Sequence, residues 1–303
     1  MRVGVTGSAG FIGTALVGAL RERGDIVVRF VRPASRALEG ESVRWDPSRQ
    51  LIDDDDLRRV GGFDAVVHLA GAGVADKRWS PARKQEILRS RTDSTQLLVR
   101  ALRSLDTGVG ALASGSAIGY YGSRGDEPLD ETSSPGTDFL ANVCIAWEHA
   151  ALELAASGTS VSLLRTGIVM SRSGGALKRQ LPLFRLGLGG RLSNGRQWLS
   201  PISLRDEVRA ILWVIDRKIA GPVNLVAPAP ITNRDFTRIL AKETHRRAMA
   251  PVPALALKIA LGSELATDAV LASQRVLPKV LVEEGFSFED STVASIVSSA
   301  LRT

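Results

Sequence analysis

Three glycines near the start of the chain have the spacing of a phosphate-binding turn. The segment VTGSAGFIG places Gly7, Gly10 and Gly13 three residues apart. In such a turn the first glycine permits a tight bend, the second lets the backbone approach a diphosphate, and the third lets helix and strand pack closely. A tight turn without a ligand is the alternative, but three spaced glycines would then cost backbone entropy for no gain. We predict a dinucleotide site and assign to it Gly7, Ser8, Gly10, Phe11, Ile12 and Gly13.

The segment RFVRPASR indicates which dinucleotide binds. Arg32 stands where an NAD-binding protein usually has Asp or Glu, about 20 residues beyond the glycine turn. A guanidinium can bind a 2′-phosphate through charge-assisted hydrogen bonds, whereas a carboxylate would repel it. We predict NADP(H) rather than NAD, bound by Arg32 with Ser35 and Arg36. The alternative is a solvated Arg32 and a relaxed preference between the two cofactors.

The elements that must position this turn alternate between strands and helices. Apolar runs at 2–6, 26–31, 42–45, 65–69, 110–114 and 161–165 alternate with helical patterns at 11–23, 81–105 and 138–156. This alternation is typical of β-α units around a parallel sheet. We predict a doubly wound α/β Rossmann fold over residues 1–170, to which 204–227 return. Residues 171–203 and 228–303 are predicted to form a smaller, mostly helical C-terminal lobe.

The segment HLAG ends the fourth predicted strand. Its small residues would let a cofactor lie across the carboxyl edge of the sheet, where ligands bind in open α/β folds. We assign Leu69, Ala70 and Gly71 to the cofactor, together with Ser114 at the end of the fifth strand. We interpret His68 as a packed or hydrogen-bonded strand residue rather than a catalyst.

Composition restricts the remaining possibilities. The chain has 303 residues, a formal charge of +7 and one cysteine, so it cannot form an internal disulfide. Its positive charge favours anionic ligands, but neither a basic stripe nor an aromatic stacking set suggests nucleic acid. His, Cys and carboxylates show no metal-ligand spacing. We find no signal peptide, and charges interrupt each apolar stretch, so we expect no membrane span and a cytoplasmic location.

The motifs TGSAGFIG, HLAG, SGSAIGYYG and LRTGIV, in this order, resemble the extended short-chain dehydrogenase/reductase superfamily, the NAD(P)-dependent epimerase/dehydratase group. More narrowly, CIAWE, LGLGGRLSNGRQW and QRVLPKVLVEEGF resemble the subfamily of about 300 residues often named "epimerase family protein". The resemblance implies that Ser116 is the active-site serine and that Arg91 lies near the cofactor. It also implies that Gly167 and Ile168 form the turn that passes the nicotinamide. Superfamily members often pair through the helices at 81–105 and 138–156, which allows a homodimer here.

The sequence departs from the superfamily at its acid/base pair. The resemblance places Tyr-x-x-x-Lys on the helix at 138–156, where this chain has Leu140 and Cys144. Neither side chain can replace the tyrosine-lysine couple, and proton transfer by a positioned group typically contributes about 10²- to 10⁴-fold in rate. Tyr120 follows Ser116 closely and is our candidate for the missing group; packing in the loop is the alternative.

Two functions follow from these observations. The first is an atypical NADP(H)-dependent oxidoreductase or epimerase-like enzyme that acts on a small carbonyl or hydroxyl compound with Ser116 and Tyr120. The second is an NADP(H)-binding sensor or interaction protein without turnover. The retained Ser116 and glycine turn favour the enzyme, and the missing Tyr/Lys pair favours the sensor.

Overall fold

A mostly parallel sheet lies at the centre of the computed structural model, which describes residues 1–33 and 40–302. In this part of the chain the sheet has eight strands: β1 (Arg2–Thr6), β2 (Ile26–Val31), β3 (Ser42–Asp46), β4 (Leu51–Ile52), β5 (Phe63–His68), β6 (Val109–Ala117), β7 (Ser160–Thr166) and β8 (Gly221–Leu225). Their spatial order is β8-β7-β6-β5-β1-β2-β3-β4. Neighbouring strands are parallel except β3 and β4.

Helices cover both faces of this sheet. They are α1 (Phe11–Glu22), α2 (Asp54–Val60), α3 (Pro81–Arg103), α4 (Phe139–Leu152) and α6 (Leu204–Arg217), whereas α5 (Gly175–Arg185) packs with helices of the C-terminal region. Val3 and Val27 pack into a core with α1 and α6, whereas Val28 and Phe30 pack into a second core with α2 and α3. Strands buried on both faces are expected when crossover helices lie on each side. The predicted doubly wound α/β Rossmann fold is confirmed.

The C-terminal region is mainly helical, as predicted. It contains α7 (Asn233–Glu243), α8 (Ala254–Leu261), α9 (Ser263–Leu265), α10 (Lys279–Glu283) and α11 (Val293–Arg302). Phe236 and Leu240 of α7 and Ile296 of α11 share a third core with Leu177 and Phe184 of α5. Short strand pairs join this region to the rest: Ile168–Met170 with Pro201–Ser203, Gly190–Leu192 with Met249–Val252, Trp198–Leu199 with Ile231–Thr232, and Pro128–Leu129 with Arg275–Val276.

One local prediction needs correction. We expected charges to interrupt each apolar stretch, but Phe139–Ser157 is long and apolar enough to span a membrane by length and composition. In the fold this segment is α4 followed by the 3₁₀ turn Glu153–Ser157, and 44% of it is buried inside the protein.

Candidate functional site

The glycine turn joins β1 to α1 through close backbone contacts. Gly7 has φ +64°, and a Cβ there would lie 2.8 Å from the carbonyl carbon of Leu69. A Cβ on Gly13 would lie 2.2 Å from the carbonyl oxygen of Gly7. Larger residues would therefore displace the turn at both positions. No side chain caps the start of α1 at Phe11, so the N–H groups of its first turn are available to an anion.

The other residues of the turn differ in what they expose. Gly10 is exposed, and a Cβ there would meet the Gly7 carbonyl oxygen at 3.1 Å. Ile12 packs against the core that contains Val3 and Val27. The Phe11 ring packs against Gly174, where a Cβ would lie 2.3 Å from it. Phe11 and Ile12 thus pack into the protein and leave their backbone for a ligand.

Thr6 ties the end of β1 to the segment that follows β5. Its Oγ1 accepts hydrogen bonds from the backbone N–H groups of Leu69 at 3.1 Å and Ala70 at 3.2 Å. Because these two bonds use both lone pairs of Thr6 Oγ1, its own hydroxyl donates to Nδ1 of His68, at 2.7 Å, which leaves the ring proton on Nε2. His68 is fully buried, and burial lowers its pKa to about 3, so the imidazole is neutral near pH 7. The structure thus places His68 as a hydrogen-bonded strand residue.

Arg91 lies beside the same edge of the sheet. His68 Nε2 donates to Thr95 Oγ1 at 2.9 Å, and the Thr95 hydroxyl donates to the Arg91 carbonyl at 2.7 Å. The guanidinium of Arg91 donates to the Ala72 carbonyl at 3.0 Å, and a Cβ on Gly71 would lie 3.3 Å from Arg91 Cζ. Within the described ranges, Arg91 forms no ion pair with a carboxylate. The half-buried guanidinium of Arg91 thus lies beside Gly71, the last of the three residues after β5 that the sequence assigns to the cofactor.

β2 and the residue that follows it carry one predicted arginine, Arg32, and one that was not predicted from the sequence, Arg29. Arg32 is exposed. Arg29 contacts the glycine turn: its Nε donates to Ser8 Oγ at 3.0 Å and its Nη2 donates to the Ser8 carbonyl at 3.3 Å. Ser35 and Arg36 lie outside the described residues.

Ser116 lies near the carboxyl end of β6 in a buried polar cluster. Its hydroxyl donates to Oε1 of Glu148, on α4, at 2.6 Å. Arg165 of β7 holds the same carboxylate through Nε and Nη2, each at 2.9 Å. A carboxylate only accepts hydrogen bonds, so the Ser116 proton is committed to Glu148 and the oxygen lone pairs remain for another donor. Ser114, two residues earlier, is fully buried in the same strand.

Two tyrosines follow Ser116 on the 3₁₀ turn Ile118–Tyr121. Arg165 Cζ lies 3.5 Å from the centroid of the Tyr120 ring. The Tyr121 hydroxyl donates to Asn224 Oδ1 at 2.7 Å and accepts from Arg165 at 3.0 Å. Burial raises the pKa of Tyr121 to about 12. Tyr121 is therefore a poor base, and Tyr120 covers the arginine of the buried ion pair.

Leu140 and Cys144 stand in α4 at the places of the missing Tyr/Lys pair and face the same turn. A Cβ on Gly119 would lie 3.5 Å from Leu140 Cβ and 3.8 Å from Cys144 Sγ. Cys144 is buried, and burial raises its pKa to about 12. The thiol is therefore neutral near pH 7 and cannot take the place of the lysine cation.

Gly167 and Ile168 pass from β7 into the C-terminal region. The N–H of Gly167 donates to the Leu225 carbonyl, and that of Ile168 donates to the Ser200 carbonyl, both at 3.0 Å. A Cβ on Gly167 would lie 2.4 Å from the Ser200 carbonyl oxygen. Backbone bonds to two other segments thus fix this turn.

Glu207 of α6 accepts a hydrogen bond from the residue that precedes this turn. Thr166, the last residue of β7, donates to Glu207 Oε1 at 2.9 Å. Glu207 is completely buried in α6, and its Oε2 has no hydrogen-bond partner. Burial raises the pKa of Glu207 to about 8, so the carboxyl is mostly protonated near pH 7.

Four residues of the site were not predicted from the sequence: Arg29, Glu148, Arg165 and Glu207. Three of them carry a recognisable signal in the sequence. Arg29 and Arg165 interrupt the apolar strands IVVRFV and SVSLLRT, and a charged residue in a buried strand needs a polar partner. Glu207 shares a helix face with Ile211 and Val214, which the apolar pattern of α6 already placed in the core. Among the residues that the structure describes, no three His, Cys, Asp or Glu side chains are grouped as metal ligands.

Family models match most of the chain. The NAD dependent epimerase/dehydratase family matches residues 3–226, and a domain of unknown function matches residues 252–300. An "epimerase family protein" of Mycobacterium bovis is 42% identical over 299 residues, which are 98% of this chain and 97% of that protein.

Solved structures of similar proteins extend this likeness to the fold. The human epimerase family protein SDR39U1, crystallised with NADPH, superposes with a TM-score of 0.89 at 30% identity, covering 100% of both chains. A nucleoside-diphosphate sugar epimerase from Corynebacterium glutamicum superposes with a TM-score of 0.78 at 33% identity, covering 99% of this chain and 58% of that one.

Proposed function

This chain belongs to the NAD-dependent epimerase/dehydratase family, and from that premise we propose that it is an NADP(H)-dependent oxidoreductase or epimerase-like enzyme. Its substrate is a small compound with a hydroxyl or carbonyl group. The observation that carries the proposal is the turn at residues 7–13, where the uncapped N–H groups of α1 lie at the carboxyl edge of the sheet. NADP(H), when bound, supplies or accepts a hydride.

The residues present fit the phosphates of this cofactor. Gly10 presents backbone without a side chain at the start of α1, where a diphosphate would meet the N–H groups. Arg32 is exposed at the end of β2, where the adenosine ribose of a dinucleotide lies in this fold. The NADPH in the structure of human SDR39U1 supports NADP(H) over NAD.

Ser116 would orient the reacting group of the substrate. Because its proton is committed to Glu148, the oxygen of Ser116 can accept a hydrogen bond from a substrate hydroxyl. Arg165 holds the Glu148 carboxylate with two hydrogen bonds, which keeps it an acceptor. The cluster therefore favours binding of an alcohol, while a carbonyl substrate would require Ser116 to turn away from Glu148.

A second candidate function is NADP(H) binding without turnover. The observation that favours it is the pair of residues at the superfamily's acid/base positions, because Leu140 has no ionisable group and Cys144 is a buried, neutral thiol. Such a protein would sense the cofactor or present a surface to a partner.

Two assays test the enzyme against the sensor: consumption of NADPH with a panel of aldehydes, ketones and quinones, and reduction of NADP⁺ with the corresponding alcohols. We expect steady turnover with at least one compound and a loss of about 10²-fold or more in Ser116→Ala. Ser162→Ala is the matched control, because Ser162 is a buried serine of the adjacent strand β7 that donates to the Ile219 carbonyl.

Two results would contradict this proposal in different ways. Tight binding of NADPH without turnover of any carbonyl or alcohol would contradict the enzyme and favour the sensor. Turnover that survives in Ser116→Ala would leave the enzyme in place but remove Ser116 from the chemistry. Unchanged turnover in Ser162→Ala confirms that a lost strand hydroxyl alone does not abolish activity.

A further inference from the structure

Arg29 points to the same side of the sheet as the glycine turn. It lies in the middle of β2 and pairs in register with Val5 of β1. Successive side chains of a strand alternate between faces, so Arg29 shares a face with Val27, which packs in the core with α1. Val31, at the end of the strand, is on this face too. Arg29 therefore reaches under the turn from the strand whose end receives the adenosine ribose.

The hydrogen bonds of Arg29 leave part of its guanidinium free. Two of its five N–H donors are used by Ser8, one by the hydroxyl and one by the carbonyl oxygen. In the described ranges, Arg29 forms no salt bridge. Burial and the positive charge of Arg21 lower the pKa of Arg29. A half-buried cation without a counter-ion is costly, so an anion bound beside Ser8 would be stabilised.

We propose that Arg29 is a second specificity-determining arginine that binds the 2′-phosphate of the NADP(H) adenosine from beneath the turn, opposite the exposed Arg32. This inference rests on the proposed function, since it assumes that the turn binds a dinucleotide. The diphosphate is the less suitable partner for Arg29, because it would meet the N–H groups of Phe11–Gly13 at the start of α1, whereas Ser8 lies toward β2.

Calorimetric titration of Arg29 variants with NADPH, NADH, 2′,5′-ADP and 5′-AMP tests the proposal. In Arg29→Met we expect Kd for NADPH and 2′,5′-ADP to rise about 10- to 100-fold, the range of a lost charge-assisted contact, while Kd for NADH and 5′-AMP changes less than about twofold. Arg29→Lys, which keeps the charge, should recover part of the loss. Arg238→Met removes an exposed arginine of α7 and controls for net charge.

Each outcome separates this inference from the proposed function. Equal losses for NADPH and NADH in Arg29→Met would show that Arg29 braces the turn or binds the diphosphate, and would overturn the 2′-phosphate assignment while the cofactor site stands. No change for any ligand would overturn it as well. A native protein that binds none of the four nucleotides would overturn the proposed function and Arg29's role with it. If Arg29→Met fails to fold, Arg29→Lys still tests the proposal. A lower ratio of NADPH to NADH affinity than in the native protein supports the 2′-phosphate contact, and an unchanged ratio contradicts it.

Discussion

Replacement of Glu207 by Gln should stabilise the protein more as the pH rises. Glu207 is completely buried, one carboxyl oxygen accepts from Thr166, and the other has no partner. Desolvation therefore raises its pKa from 4.5 to about 8 in the folded chain. Glutamine has nearly the same shape but never ionises, so it removes the pH-dependent part of this cost.

The sign and size of the effect follow from proton linkage. Because the folded pKa is raised, the folded state retains a proton that the unfolded state releases above pH 4.5. The native protein therefore loses stability from about pH 4.5 up to about pH 8, where the folded carboxyl also ionises. At about 1.4 kcal/mol per pH unit, the loss between pH 5 and pH 8 amounts to about 4 kcal/mol.

Urea unfolding of the native protein and Glu207→Gln at pH 5, 6, 7 and 8 measures this difference. We expect the free energy of unfolding of the variant, minus that of the native protein, to increase by about 4 kcal/mol across the series. A difference that stays constant with pH would show that Glu207 ionises normally. A difference that decreases with pH would show that the folded protein stabilises the carboxylate, and would refute the reasoning.

Three further predictions concern the turn and the buried polar cluster. Glu148→Gln should destabilise the protein by about 3–5 kcal/mol in urea unfolding, because Arg165 would be left buried without its counter-ion. The double variant Glu148→Leu/Arg165→Met removes both charges and should recover much of this loss. A Glu148→Gln variant as stable as the native protein would contradict the buried ion pair. Gly13→Ala should weaken NADPH binding more than tenfold, since its Cβ would lie 2.2 Å from the carbonyl oxygen of Gly7. Gly18→Ala is the control in the same helix, because a Cβ there meets nothing within 4 Å. It should stabilise the folded protein by up to about 1 kcal/mol and leave the affinity for NADPH unchanged. Equal calorimetric affinities in these two variants would disprove the packing argument. Cys144, the single cysteine, should react with a disulfide reagent only after unfolding, and rapid modification of the folded chain would contradict its burial and raised pKa.

The glycine turn and the Rossmann sheet could be predicted because their signals are local. The predicted strands 2–6 and 26–31 have the observed bounds, since apolar periodicity and flanking breaks define such elements within a short window. The helix predicted at 138–156 instead ends at Leu152 and tightens into a 3₁₀ turn, a difference that local propensity does not reveal.

The buried polar cluster could not be predicted because it depends on long-range register. Ser116 contacts Glu148 only because the fold packs α4 against β6. Arg165 joins them because it is paired in register with Ser116 between β6 and β7. The role of Arg29 could not be predicted for the same reason. Its guanidinium contacts Ser8 in the glycine turn, which is its neighbour in space and not in sequence. A charged residue within an apolar strand signals that a partner exists but not which one.

Calorimetric titration of the native chain with NADPH and with NADH tests the central claim most directly. The glycine turn, Arg29 in β2 and Arg32 just after it predict one site per chain and an affinity for NADPH at least tenfold higher than that for NADH. Equal affinities would contradict the assignment of Arg32. The absence of binding by either nucleotide would contradict the dinucleotide site itself.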